Sequence, residues 1–462
     1  MKIEFNGSSS ITRGLSIFFL ILGLSPSIWG QQNDTEAILA RVAGHLARKE
    51  YSSALELFDK LPPERRETTD ILIMRATILN AAGKPAEAKK IANAIAAADS
   101  KNTGALMILA DAAAIEGKER DRRSFLDKVI ALEPNNVRAL NDLANINIKN
   151  QNLRVAANYF DKVLAVEPDN GEALVGRAVI YRYTREPKNA ERLLNRAATL
   201  YKDWARPLHE RARLYKSAGY NNDAIEDLKA ALALEPDNYM VLVDYGELLM
   251  EINQKKEALK YLNKAIEVEP DVFMAYIYSA AIKDELRDYA GAEKDYSVLV
   301  KLKPDYYFGF EALGVLKMRN KQWAAARDAF LDAYKQAPKE YSYALLAAVN
   351  WMRAGKQSDP KQFLAQVLRT VPRDTTEYAV IRLFHDLSGD STVVTLVENE
   401  KNFYTKSRML FFLASFYDIR GNKTLADKYY LMVKNLNSVG SVEFQLNEMM
   451  ITERGLDVKA DK

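Results

Sequence analysis

One layout of residues returns every 34 positions along most of this chain, and it restricts the fold more tightly than any other feature. Proline marks the register at Pro134, Pro168, Pro236, Pro270, Pro304, Pro338 and Pro372, with Lys202 standing in once. A small residue keeps the same step through Val42, Ala76, Ala110, Ala144, Ala178, Ala212, Gly246, Ala280, Gly314 and Ala348. Another column holds Ala54, Ala88, Ala156, Ala190, Ala224, Ala258, Ala292 and Ala326, broken by Arg122 and ending at Pro360. Within one unit, Val137 to Asn170, residues Leu140, Leu143 and Ala144 share a stripe of a first helix. Ala156, Phe160 and Val163 share a stripe of a second. Proline then stops that helix, because it lacks an N–H and clashes with the preceding turn. The two small columns let paired helices approach closely. A lone helix pair cannot bury its stripes, so the units must stack, each stabilised by its neighbours.

This layout resembles the tetratricopeptide repeat family, whose helix–turn–helix unit has the same period and the same placing of small residues and terminal proline. The resemblance covers Thr35 to Asp374 as ten unbroken repeats and resumes at Ser407 to Gly440, with Leu413, Ala414, Tyr417, Ala426 and Tyr430 in place. It implies an all-α, right-handed superhelical solenoid. One departure is that the family's first-helix aromatic is mostly Leu here, as at Leu106, Leu140, Leu174, Leu208 and Leu242, with Tyr276 and Phe310 later. The expected division is a signal peptide over 1–30, ten repeats over 31–374, a degenerate unit over 375–406, a further repeat over 407–440, and a capping helix with tail over 441–462. In the degenerate unit, helices are expected over 378–387 and 391–400, and Arg382 falls where a small residue is needed. Two readings stand there, a decayed repeat that continues the stack and a local bend before a C-terminal module. Val442 to Arg454 carries Val442, Phe444, Leu446, Met449, Met450 and Ile451, which suits a helix covering the last repeat.

The first 30 residues differ in composition. Lys2 and Arg13 precede an apolar run from Leu15 to Leu24, and Pro26, Ser27 and Gly30 follow. Ten apolar residues are too few to span a bilayer, and this order is that of a secretory signal, with cleavage expected after Gly30. The alternative is an uncleaved N-terminal anchor. Either reading places the repeats outside the cytoplasm, in the periplasm or cell envelope, or outside the cell. With no cysteine in 462 residues, disulfides, thiolate metal sites and a thiol nucleophile are excluded.

The chain carries 65 basic and 62 acidic residues, a balance unlike the basic stripe a general nucleic-acid binder needs. Three histidines lie far apart, His45 at a position suited to core filling and His385 in the degenerate unit. No HExxH, GxSxG or phosphate-binding glycine loop accompanies them, so neither an enzyme nor a cofactor is expected. In the family this chain resembles, ligand contacts come from fixed positions of each first helix on the concave face. The resemblance thus points to Arg138, Asn141, Asn145 and Lys149, then Arg182 and Tyr183, then Arg206, His209, Arg213 and Lys216, a basic and polar run. Asp244, Glu247, Glu251 and Asp284 follow, so the groove changes sign near residue 240 before turning apolar at Phe308, Val315, Met318, Leu345, Val349 and Met352. The family's carboxylate clamp is present only as a fragment, and its asparagine ladder is missing, with Asp142, Gly176, Glu210 and Asp244 in its place. Arg206 and Arg213 are expected to point away from the core, so that reversing their charge leaves stability unchanged. The expectation is an exported, non-enzymatic scaffold that binds a peptide or partner helix in its groove, with a periplasmic scaffold for polysaccharide export or wall synthesis as the alternative.

Overall fold

The computed structural model describes residues 31–355 and 359–456. The export segment expected over 1–30 and the end of the tail lie outside them. Contacts divide the chain into two compact units at Glu235 and Pro236. The described residues of the first unit form α1 (Gln31–Ala47), α2 (Tyr51–Phe58), α3 (Pro63–Arg66), α4 (Thr69–Ala81), α5 (Pro85–Ala98), α6 (Thr103–Ile115), α7 (Glu119–Leu132), α8 (Val137–Lys149), α9 (Leu153–Val166), α10 (Gly171–Tyr183), α11 (Pro187–Leu200), α12 (Ala205–Ser217) and α13 (Asn221–Leu234). Those of the second form α14 (Tyr239–Glu251), α15 (Lys255–Val268), α16 (Met274–Glu285), α17 (Tyr289–Leu302), α18 (Tyr307–Arg319), α19 (Trp323–Gln336), α20 (Tyr341–Arg353), α21 (Asp359–Val367), α22 (Thr376–Asp386), α23 (Asp390–Glu398), α24 (Phe403–Ile419), α25 (Lys423–Leu436) and α26 (Val442–Glu453). No strand occurs among the described residues.

Local chemistry fixes where these helices begin and end. Asn102, Asn136, Asn170 and Asn238 stand just before first helices, and each side chain accepts from the backbone N–H three residues on. The turn between the two helices of a repeat passes through left-handed φ at a fixed position, held by Gly83, Gly117, Gly219 and Gly355. Gln151, Arg185, Asn253, Arg287 and Lys321 take the same conformation elsewhere, where a Cβ costs roughly 1–2 kcal/mol relative to glycine. Repeat five has no proline at its exit, where Lys202 stands. Instead, the Tyr201 hydroxyl donates to the Asp169 carbonyl at 2.5 Å and accepts from the Gly171 N–H at 3.2 Å. The Trp204 ring packs edge-on to Tyr201, so two aromatics hold that turn.

Both small columns are core. Ala144, Ala156, Ala178, Ala190 and Ala212 are buried where the paired helices touch. Arg122 breaks the column without opening it, because its guanidinium reaches Asp142 of the next repeat at 3.1 Å. Within each unit, first helices of successive repeats also meet one another, as α8 meets α10 and α14 meets α16.

The end of the second unit departs from a simple stack. Helix α24 packs against α20 as well as α22, and α26 turns back to lie on α24, α25 and α18. Lys321 reaches Glu453 at 2.5 Å, and Arg408 on α24 bridges Ser342 and the buried Glu443. Val315, Met318, Leu345, Val349 and Met352 therefore join one core with Leu446, Met450 and Ile451. The apolar end of the groove, apart from the exposed Phe308, is thus covered by the chain's own helices. Arg382 avoids the interior by facing solvent and pairing with Asp386 at 3.0 Å.

Candidate functional site

On the first-helix face of the first unit, the expected cations do not stand alone. Arg138 donates to Asp111 of the preceding repeat at 2.6 Å, and Arg206 to Glu172 at 3.1 Å. Arg182 reaches Glu210 of the following repeat at 3.4 Å, and Arg213 approaches the same carboxylate at 3.5 Å. The acids Asp111, Asp142 and Glu210 are buried. Each pairs with a cation from an adjacent repeat, so the basic run is largely neutralised from within. Arg206 and Arg213 are also mostly covered, and a reversed charge would meet Glu172 and Glu210. The expectation that reversing them leaves stability unchanged is thereby corrected, since Arg206 ties its repeat to the preceding one and Arg213 pairs with the buried Glu210.

The other expected groove residues take varied places. Lys149 and Tyr183 are exposed, with the Arg182 guanidinium lying 4.7 Å from the Tyr183 ring centre. His209 is buried and Lys216 half-buried. Asn141 donates to the Asn170 cap at 3.2 Å, tying α8 to the start of α10. Four buried polar atoms on α8 and α10 have no hydrogen-bond partner among the described residues: the side-chain carbonyls of Asn141 and Asn145, one carboxylate oxygen of Glu172, and Nε of Arg182. His45 bonds Glu50 at 2.6 Å rather than filling the core.

Burial pushes the Asp142 carboxyl up to about 6; Arg122 and Arg138 pull it down, and Asp111 and Glu172 push it further up. A carboxyl with a raised folded-state pKa stabilises fully below its unfolded value, near 4, and loses that contribution as pH rises through about 6. The wild type should therefore lose stability relative to Asp142→Asn by about 3 kcal/mol between pH 4 and pH 7, the worth of a two-unit shift. Urea midpoints of both proteins at the two pH values check it. A gap that moves the other way would contradict the burial of this group.

In the second unit, Asp244 and Glu247 are half-buried and Glu251 is exposed, and the Tyr278 hydroxyl donates to Glu247 at 2.8 Å. Burial raises the Asp284 carboxyl, against the pull of Arg319. Beyond them, α26 and the turns of repeats eight and nine border a cleft of about 810 Å³. Met318, Leu446, Met449 and Met450 supply apolar lining, Arg287, Arg319, Lys321 and Arg353 supply cations, and Glu448 and Glu453 supply carboxylates. Two guanidiniums lie against rings, Arg319 at 4.1 Å from Tyr289 and Arg353 at 5.1 Å from Trp323. Arg353 also donates to Asp418 at 3.0 Å. Glu311 borders the cleft too, its carboxyl raised by burial and accepting from Tyr343 at 2.6 Å. Among the described residues no group of three or more His, Asp and Glu side chains could hold a metal ion, and no helix is long and apolar enough to cross a membrane.

Two profiles of the tetratricopeptide repeat match the sequence, over residues 141–203 and 217–280. The chain contains tetratricopeptide repeats. A search of curated proteins returns no match. Among solved structures, the chain is similar to a tetratricopeptide repeat protein from Parabacteroides merdae, with 17% identity, a TM-score of 0.43, and coverage of 54% of this chain and 98% of that one. It is similar to a human IFIT1 dimer with PPP-AAAA, with 16% identity, a TM-score of 0.39, and coverage of 80% and 91%. It is also similar to YrrB, described as a tetratricopeptide repeat protein with an unusual peptide-binding site, with 18% identity, a TM-score of 0.30, and coverage of 40% and 95%. Tetratricopeptide repeats are generally non-enzymatic scaffolds for protein–protein interaction. In this one, sequence reasoning named the first-helix residues but missed the cleft beside α26. Amphipathicity marks α26 as covered without saying which repeats cover it.

Proposed function

We propose that this tetratricopeptide-repeat protein is an exported, non-enzymatic scaffold that holds a protein partner by an extended segment laid on α8 and α10. The carrying observation is the set of unpartnered polar atoms on Asn141, Asn145, Glu172 and Arg182. A buried polar atom without a hydrogen bond costs about 1–3 kcal/mol, so a segment that displaces the side chains covering these atoms and bonds several of them gains affinity from each. Three of the four are acceptors, and an extended peptide main chain offers N–H donors at regular spacing. The adjoining exposed Lys149 and Tyr183 provide a charged and an aromatic rim. Export rests on the charged, apolar and small-residue order of the first 30 residues.

A photoreactive residue placed at Lys149, on the first-helix face, should cross-link a partner protein in cells. The same residue at the exposed Asn158, on the second helix of that repeat, should not. Adducts from Asn158 alone would place binding on the opposite face and overturn the proposal. N-terminal sequencing of the protein from the envelope fraction should begin near Gln31, and recovery of intact Met1 would count against cleavage.

A further inference from the structure

The cleft beside α26 differs from the first-helix face in chemistry and carries a separate reading. Its wall includes Arg287 and Lys321, which occupy the same turn position in successive repeats, at φ values of +63° and +56°. The fold alone favours glycine there, as Gly219 and Gly355 illustrate at the same position. Lys49, Gln151 and Arg185 also adopt this conformation, so a side chain at left-handed φ is not by itself the signal. What singles out repeats eight and nine is that both turns present a cation to one cavity.

The cations in that cavity are unequally occupied. Lys321 is held by Glu453, and Arg353 by Asp418. Arg287 and Arg319 form no ion pair among the described residues, and Nε of Arg319 is buried without a hydrogen-bond partner. Asp284 feels the charge of Arg319 without pairing to it. Stacking on Tyr289 fixes the plane of the Arg319 guanidinium. A planar guanidinium held in place is suited to a carboxylate, which it can grip through two parallel N–H donors. The same cleft is lined by Met318, Met449 and Met450, whose thioethers are flexible, polarisable groups that adapt to apolar side chains of different shape. A volume near 810 Å³ is within the range of ligand pockets.

We propose that this cleft binds an acidic and apolar segment of a partner protein, with Asp or Glu carboxylates on Arg287 and Arg319 and a neighbouring Leu, Phe or Met side chain on the methionines. The charge of the two unpaired guanidiniums selects the acidic residue, and the thioethers select its apolar neighbour. The site is independent of the one proposed on α8 and α10, and either can fail without the other.

The test uses random dodecapeptides displayed on phage, selected on the full-length protein and depleted on the double variant Arg287→Gly, Arg319→Gln. Glycine suits the φ of residue 287, so the Arg287→Gly single variant should melt at or above the wild-type temperature. That result separates lost binding from lost folding. The peptides that survive depletion should carry Asp or Glu beside Leu, Phe or Met, and by fluorescence polarisation bind the wild type at least tenfold more tightly than the double variant. Three results overturn the proposal: surviving peptides without acidic residues, affinities within twofold for the two proteins, or no survivors. Binding of anionic phospholipid vesicles through Arg287 and Arg319, with no peptide preference, would replace the peptide by a lipid surface and also overturn it. Peptides that cross-link at Lys149 and bind the double variant unchanged would report on the first-helix face alone.

Discussion

Replacing Gly176 by valine should destabilise the first unit by about 2–3 kcal/mol. A Cβ built at Gly176 falls 2.2 Å from Cζ of Phe160 and 2.5 Å from Cε2. Phe160 is wholly buried and shares a core cluster with Ala173 and Ile180 of α10. Two effects compete. Removing a glycine from a helix interior gains roughly 0.5 kcal/mol, while overpacking a closed core costs about 1–3 kcal/mol or more, so the clash wins. Gly176→Ala should show the same sign with a smaller loss, of about 1 kcal/mol. If the Phe160 ring is the cause, Phe160→Leu combined with Gly176→Ala should cost less than the sum of the two single changes. Urea denaturation of the four proteins measures this cycle, and strict additivity would exclude the contact.

Glu210→Ala should cost about 2–3 kcal/mol near neutral pH. Burial pushes this carboxyl up, but Arg213 and Arg182, with His209 and Arg206, outweigh it and hold the group below the usual range. Removing it takes a shared carboxylate from two cations. The loss stays below the largest known for buried pairs because the Arg182 and Arg213 side chains keep 19% and 29% of their exposure. A depressed folded-state pKa contributes stability above the unfolded value, near 4.5, and that contribution fades as pH falls through the folded value. The difference between wild type and variant should therefore shrink on acidification below about pH 4.5, opposite in direction to the Asp142 effect. Melting curves across pH 3 to 7 test it, and a difference that grows in acid would contradict this pairing.

The stack itself was legible because burial leaves a periodic trace. Ala144 and Ala156 had to be small for two helices to touch, and Pro168 had to end the second helix, whatever the neighbouring residues were. The ion pairs were less legible. Arg138 and Asp111, Arg182 and Glu210, and Arg206 and Glu172 meet across repeat boundaries, so each charge looks solvated until neighbouring first helices are placed side by side. Opposite charges about one repeat apart were the available signal, and reading cations and anions as separate blocks concealed it. Arg122 and Asp142 show the same device replacing a small residue. The closing helix α26 was hidden for another reason. It is tied down across residues as distant as Lys321, in the turn after α18, and Glu453, and an apolar stripe records that a helix is covered without recording what covers it.

Neighbour-to-neighbour coupling is the claim on which the rest depends, because it makes each first-helix face a local site that can be altered repeat by repeat. Hydrogen exchange read by mass spectrometry on Gly176→Val and wild type tests it most directly. The account predicts faster opening over residues 137–204, where Phe160 and Gly176 meet, with exchange over 390–453 unchanged. Acceleration of equal size along the whole chain would mean that it unfolds as one cooperative body, and would contradict the account.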